Sequence, residues 1–277
     1  MKIDSHQHFW TYNEDEFGWI NDQMSVIRRN FFPEDLKPEL TNAGYDGSIA
    51  VQARQKLEET SWLLELATHH NFIRGIVGWV DLCSPELPKQ LELFTTNKKL
   101  VGVRHVIHDE PDDNFMLRPD FLNGIKQLCN YGLTYDILIF PKHLPNTLQF
   151  VKAFPDQAFI LDHIAKPDIK NQLFNPWKEN IEKLAKFPNV HCKLSGMVTE
   201  ADWKNWKHDD FIPCLEVVLE NFGPNRVMIG SDWPVCTVSA SYSKVMGIVQ
   251  HYIEKLSPAE QNMILGENAC SIYNLND

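Results

Sequence analysis

Short apolar, β-branched runs alternate along this chain with longer segments whose apolar residues recur at helical spacing. Eight runs read as strands: "KIDSHQH" (2–8), "GSIAVQAR" (47–54), "IRGIVGWVDL" (73–82), "LVGVRHVI" (100–107), "LTYDILIF" (133–140), "FILDHIAK" (159–166), "VHCKLSG" (190–196) and "RVMIGSDW" (226–233). Amphipathic segments separate them, among them "EETSWLLELATHH", "PELPKQLELF", "PDFLNGIKQLCNYG", "LPNTLQFVKAF", "NPWKENIEKLAKF" and "DFIPCLEVVLENFG". Two more, "SYSKVMGIVQHYIEKL" and "SPAEQNMILGENA", follow the last run. The second carries a helix-start signature: Ser257 as N-cap, Pro258 at the first helical position and Glu260 closing a capping box. Eight strand–helix units in alternation predict an α/β fold, a closed parallel (β/α)8 TIM barrel forming a single domain over residues 1–277. An open doubly wound sheet shows the same alternation, but no glycine-rich phosphate loop follows the first strand.

A barrel of this kind carries its active site at the C-terminal ends of the strands. Ionisable and polar residues gather there in this sequence: His6 and His8; Gln52 and Arg54; Trp79 and Asp81; Arg104, His105 and His108; Tyr135 and Asp136; Asp162, His163 and Lys166; Lys193 and Ser195; Ser231, Asp232 and Trp233. Strand alternation predicts that Asp4, His6 and His8 share one face. Buried charges are costly unless paired, hydrogen-bonded or metal-bound, so a ring of them reads as a reaction centre. Each has a structural alternative. For His6 and His8 the alternative is a hydrogen-bonded structural pair, and for Asp232 a turn residue before Trp-Pro; both are weaker than the functional reading. Arg104 reads as a partner of Asp136 or Glu110, and Lys193 as a partner of a neighbouring carboxylate. Trp10, Trp19 and Trp79 fit core or rim positions; His69, His70 and His251 fit helix surfaces; His191 stands at the wrong end of its strand.

Composition narrows the partners. With 26 Lys+Arg against 37 Asp+Glu, the net charge of −11 argues against nucleic acid and against an anionic membrane surface, since both need a basic patch. No apolar run approaches the roughly 20 residues of a membrane span, and no apolar leader follows "MKIDSHQH". The six cysteines are scattered without a CxxC pair, which predicts thiols in a reduced cytoplasm and no cysteine-based zinc site. The pattern carries no reading of oligomeric state.

HxH closing the first strand, one His closing a middle strand and Asp closing the last resemble the frame of the amidohydrolase superfamily. The ordered set "HQHFW", "FGWI", "VQAR", "GWVDL", "GVRHVIHDEPD", "LDHIAKP", "CKLSG" and "GSDWPV", with the "GENACSIYNL" tail, resembles its branch of sugar-acid lactonases, such as L-fuconolactonases and L-rhamnonolactonases. The resemblance implies a (β/α)8 hydrolase that opens a sugar lactone to the aldonic acid. The fifth run offers no bridging His, Lys or Glu, which departs from the two-metal members. The remaining ligand set is His6, His8, His163 and Asp232, suited to one divalent metal ion, Zn2+ in particular; the alternative is no metal, with the histidines donating hydrogen bonds instead. Asp232 is the expected proton-transfer residue and His163 and Arg104 its catalytic companions. Arg54, His105 and Lys166 are expected to bind the small-molecule lactone, with Trp19 and Trp233 as stacking faces. Two other readings stay open: a decarboxylase or non-sugar lactone hydrolase of the same superfamily, and a non-catalytic barrel that binds sugar acids.

Overall fold

The computed structural model of the protein describes residues 1–275; the last two residues of the expected domain lie outside the described residues. Eight parallel strands form one sheet in the order β1 to β8: β1 Ile3–Gln7, β2 Gly47–Val51, β3 Ile73–Gly78, β4 Leu100–Val106, β5 Thr134–Leu138, β6 Phe159–Leu161, β7 Val190–Leu194 and β8 Val227–Ile229. The ring closes just beyond the end of β8, where Asp232 N donates to His6 O (2.8 Å) and His8 N donates to Trp233 O (2.7 Å). All eight expected strands are present, and the (β/α)8 barrel is the fold.

The helices are α1 Pro33–Ala43, α2 Leu57–His69, α3 Leu87–Phe94, α4 Pro119–Leu128, α5 Leu144–Lys152, α6 Trp177–Leu184, α7 Ile212–Phe222, α8 Tyr242–Ile253, α9 Pro258–Asn262 and α10 Asn268–Ile272. Helix α1 has no counterpart in the sequence reading. It carries an internal proline, Pro38, and buries only Pro33, Leu36 and Leu40, so its apolar stripe is thin. The segment read as one helix over 257–269 is broken by a π-helical turn at Met263–Glu267, where Gly266 is packed against Met1 and Lys2 so closely that a Cβ would lie 2.1 Å from Met1 O. Its start follows expectation: Ser257 Oγ accepts from Glu260 N, and Glu260 Oε2 accepts from Ser257 N (2.9 Å).

The N-terminal half of the barrel interior is apolar. Ile3, Ile49, Val51, Val77, Ile160 and Met228 fill it, and Ala269 and Tyr273 pack against them from below. Among the described residues, no helix is long and apolar enough to cross a membrane, and no disulfide links the cysteines.

Candidate active site

Strict alternation fails in β1, and the failure shapes the site. Register with β2 runs Ile3↔Gly47 and Asp4↔Ser48 and then jumps to Gln7↔Ala50, so one extra residue is inserted. Ile3 joins the barrel interior, while Asp4 leaves the face of the histidines. Its carboxylate accepts from Ser231 N (2.9 Å), Ser231 Oγ (2.6 Å) and Tyr242 Oη on α8 (3.1 Å). Burial raises its pKa to about 6, against those hydrogen bonds. Asp4 thus braces the junction of β1 and β8, which corrects the expectation that it points with His6 and His8.

His6, His8, His163 and Asp232 converge. Asp232 Oδ1 lies 3.8 Å from His6 Nε2, 3.3 Å from His8 Nε2 and 3.9 Å from His163 Nε2. The opposite nitrogen of each ring is held. His8 Nδ1 can only donate to Val51 O (2.8 Å). His163 Nδ1 pairs with Ser195 Oγ (2.9 Å). His6 Nδ1 lies 3.2 Å from Asp162 Oδ1 and 3.3 Å from Lys193 Nζ, and of these two only the carboxylate can accept its proton. His6 and His8 therefore turn an Nε2 lone pair toward one carboxylate oxygen, which His163 Nε2 also faces; His6 Nε2 and His8 Nε2 lie 3.2 Å apart, and Arg104 Nη1 lies 3.2 Å from His6 Nε2. Burial pushes His6 and His163 well below the ordinary histidine pKa, despite Asp162 and Asp232 respectively, so both are neutral ligand donors. Lone pairs gathered at such spacing call for a cation. Three imidazoles and a carboxylate match a tetrahedral nitrogen–oxygen site, and the outer partners Val51, Ser195 and Asp162 orient the rings as metal-ligating histidines require. His6, His8 and Asp232 form one compact candidate group for a metal, and His6, Asp162 and His163 a second.

A buried ion network supports this cluster. Asp162 Oδ2 accepts from Arg104 Nη1 (3.0 Å), and Asp162 Oδ1 lies 3.1 Å from Lys193 Nζ. Lys193 also donates to Asp136 Oδ2 (2.5 Å), which accepts from Tyr273 Oη (2.7 Å). Burial opposes ionisation of Asp162, but Lys193, His6 and Arg104 overcome it and hold the carboxyl well below the usual range. The carboxylate partner of Arg104 is thus Asp162, and Glu110 pairs instead with His105. Lys193 is paired with carboxylates, as its structural reading anticipates.

His163 reaches the cluster through an unusual backbone. Residues His163, Ile164, Ala165 and Lys166 have φ of 54°, 49°, 58° and 52°, a left-handed turn without a single glycine. Left-handed backbone costs roughly 1–2 kcal/mol per residue for such side chains. The turn is held by Lys166 N donating to His163 O (2.8 Å), by Trp177 Nε1 donating to Ile164 O (2.7 Å), and by full burial of Ile164 and Ala165. Opposite it, Gly196 lies so close that a Cβ would stand 2.4 Å from His163 Nδ1, and its own φ is +61°.

The cluster opens into a cavity of about 510 Å³ at the C-terminal mouth. Its floor includes His8, Arg104, His163 and Asp232; its walls include Arg54, Lys166 and Trp19 from the expected set. Two expected contacts stand outside that lining. His105 follows Arg104 on β4 and points to the opposite face. There it pairs with Glu110 (2.7 Å), accepts from Trp79 Nε1 (3.3 Å) and stacks on Phe115. Trp233 follows Asp232 and turns into the core against Phe9 and Phe31. Sequence reasoning missed Glu16 and Lys56 as cavity residues. Glu16 lies in a loop with no periodic signal. His108 was visible just past β4, and burial beside Lys166 and Arg104 lowers its pKa to about 3, so it faces the cavity uncharged.

Comparisons with known proteins identify the family. The sequence profile of the family described as Amidohydrolase matches residues 3–275. A protein of Burkholderia multivorans named L-fucono-1,5-lactonase is 38% identical, over 99% of this chain and 96% of that one. Another of that name from Burkholderia ambifaria is 33% identical, over 99% of this chain and 96% of that one. A crystal structure of an amidohydrolase from Burkholderia multivorans with bound Zn superposes with a TM-score of 0.97 at 38% identity, covering 100% of both chains. With a barrel mouth built from an HxH pair, a lone histidine and a terminal aspartate, and a profile that spans nearly its whole length, the chain belongs to the amidohydrolase family.

Proposed function

We propose that the protein hydrolyses an uncharged sugar-acid lactone, of the class of L-fucono-1,5-lactone, to the aldonic acid. Its full-length resemblance to two proteins of that name carries the reading. The cavity of about 510 Å³, with arginine, lysine and tryptophan in its walls, suits one small polyhydroxy ring.

His6, His8, His163 and Asp232 would hold one Zn2+, the ion of the solved relative. When bound, such an ion lowers the pKa of water and polarises the lactone carbonyl. The charge of the interior favours a cation: Lys193 pairs with Asp136 and Asp162 and Arg104 with Asp162, while the Asp232 carboxylate faces the histidine nitrogens. Asp232 accepts the proton of the attacking water and returns it to the leaving ring oxygen. Its carboxyl suits that role. Burial works to raise its pKa, but the charges around it, Lys166 among them, outweigh that and keep it ionised. Arg104, held by Asp162 and Gln52, places its positive charge on the cavity floor, where it stabilises the carbonyl oxygen as that oxygen gains charge. Arg54, Lys166 and Trp19 position the sugar hydroxyls and ring face. The scattered thiols fit a reducing, cytoplasmic setting.

The test is a pH-indicator screen of neutral aldonolactones with and without a chelator. Acid release that is lost on chelation and restored by zinc is the expected result. No acid release across the panel, or release of CO2 from an aromatic acid instead, would overturn it.

A further inference from the structure

The loop after β1 brings Glu16 to the cavity wall, opposite no obvious catalytic partner. It is rigidly placed. Its neighbour Phe17 is fully buried against Trp10 and Tyr12, and Phe17 N and Glu16 N both donate to Asn13 O (2.9 and 3.2 Å). Glu16 Oε2 accepts from Arg54 Nη1 and Oε1 accepts from Lys56 Nζ. Arg54 has a second anchor. Glu59, fully buried, binds Arg54 Nε (3.2 Å), Arg54 N (2.8 Å) and Ala53 N (3.0 Å). Arg54 therefore stays in place whether or not Glu16 is charged.

We propose that Glu16 selects uncharged polyhydroxy lactones and rejects those bearing a second, ionised carboxylate. The inference rests on the hydrolase reading above and deepens it. A carboxylate has about four acceptor sites. Glu16 commits one on each oxygen to a cation, and further lone pairs remain on a side chain that lines the cavity, where sugar hydroxyls donate. The hydrogen bonds from Lys56 and Arg54 hold its carboxyl below the ordinary value, so it is an acceptor throughout the working range. The same carboxylate acts against anions twice. It repels a like charge, and it occupies the two cations, Arg54 and Lys56, that would otherwise clamp a substrate carboxylate. Trp19, in the same loop and packed edge-on to Trp10, adds an apolar face beside it.

The test compares zinc-loaded wild type with Glu16→Gln, which keeps the size and removes the charge, and with Glu16→Ala. Two quantities are read: kcat and KM on a neutral six-carbon aldonolactone, and the calorimetric Kd for glucarate, an open-chain sugar dicarboxylate that cannot be hydrolysed. The expected result is a KM raised about tenfold with kcat changed less, and glucarate bound at least tenfold tighter. A merely structural Glu16 would weaken both ligands together, and that outcome overturns the proposal. So does glucarate affinity that is unchanged, or undetectable in wild type and variants alike. If wild type turns over no neutral lactone, the hydrolase reading fails, while the glucarate comparison still decides whether Glu16 excludes anions.

Discussion

The N-terminal half of the barrel interior is filled by Ile3, Ile49, Val77, Ile160 and Met228, whereas the C-terminal half of the same eight strands carries His6, Arg104, Asp162 and Lys193. Both halves are equally buried, yet they answer to different demands. The lower half gains from removing methylenes from water and from close packing. The upper half keeps ionised and lone-pair groups out of water, an arrangement that holds only because each is paired and that serves chemistry rather than stability. Mutations should therefore separate the two halves cleanly: activity without stability above, stability without activity below.

The largest effect is expected at the top. Asp232→Asn keeps the shape and removes the proton acceptor, so kcat on the best lactone should fall by about 10²–10⁴, with the thermal midpoint nearly unchanged. Near wild-type kcat in a folded variant would shift the proton-transfer role to His163. The mirror image lies below. Ile160→Ala empties a fully buried interior position and should cost about 2–5 kcal/mol in urea unfolding, while kcat/KM at a temperature well below the midpoint changes less than threefold. A comparable loss of activity would mean that the two halves are mechanically coupled.

Gly196→Ala sharpens the boundary. Its Cβ would collide with the His163 ring on a backbone of positive φ, so zinc affinity should fall about 10–100-fold, with a smaller loss of stability; a competition titration against a chromophoric chelator measures it. The smallest effect concerns pH. His191 stands at the N-terminal end of β7 with Nδ1 unpartnered among the described residues; burial, aided by Arg226, lowers its pKa to about 4. The unfolded chain binds this proton near pH 6.5, the folded chain only near 4, so stability is lost as pH falls through that window. Partial exposure limits the loss to roughly 1–2 kcal/mol. His191→Gln should flatten urea midpoints between pH 6.5 and 4 relative to wild type; an unchanged slope would refute it.

The sites legible in the sequence were those whose position follows from strand periodicity and barrel topology. His6, His8, His163 and Asp232 close strands, and closing strands of a barrel must meet at its mouth. The same periodicity places His105 and Trp233 away from the mouth, because each directly follows an inward residue; an expectation built on strand ends alone overlooks this. Asp4 is different, since a one-residue insertion in β1 leaves no compositional trace. The left-handed turn after β6 was equally silent: its residues are His, Ile, Ala and Lys, none of which announces positive φ. Glu16 acquires its role from partners 38 and 40 residues away, Arg54 and Lys56, and no local pattern encodes such a meeting.

For directed evolution, that turn is a point of leverage. Ala165 sits at φ 58° with no cavity contact of its own. Glycine there would relieve roughly 1–2 kcal/mol of steric penalty against an entropic cost of about 0.5–1 kcal/mol. A library that varies position 165 would explore heat tolerance and the rigidity of His163 along a single axis, because the backbone that holds the ring is the backbone being relaxed.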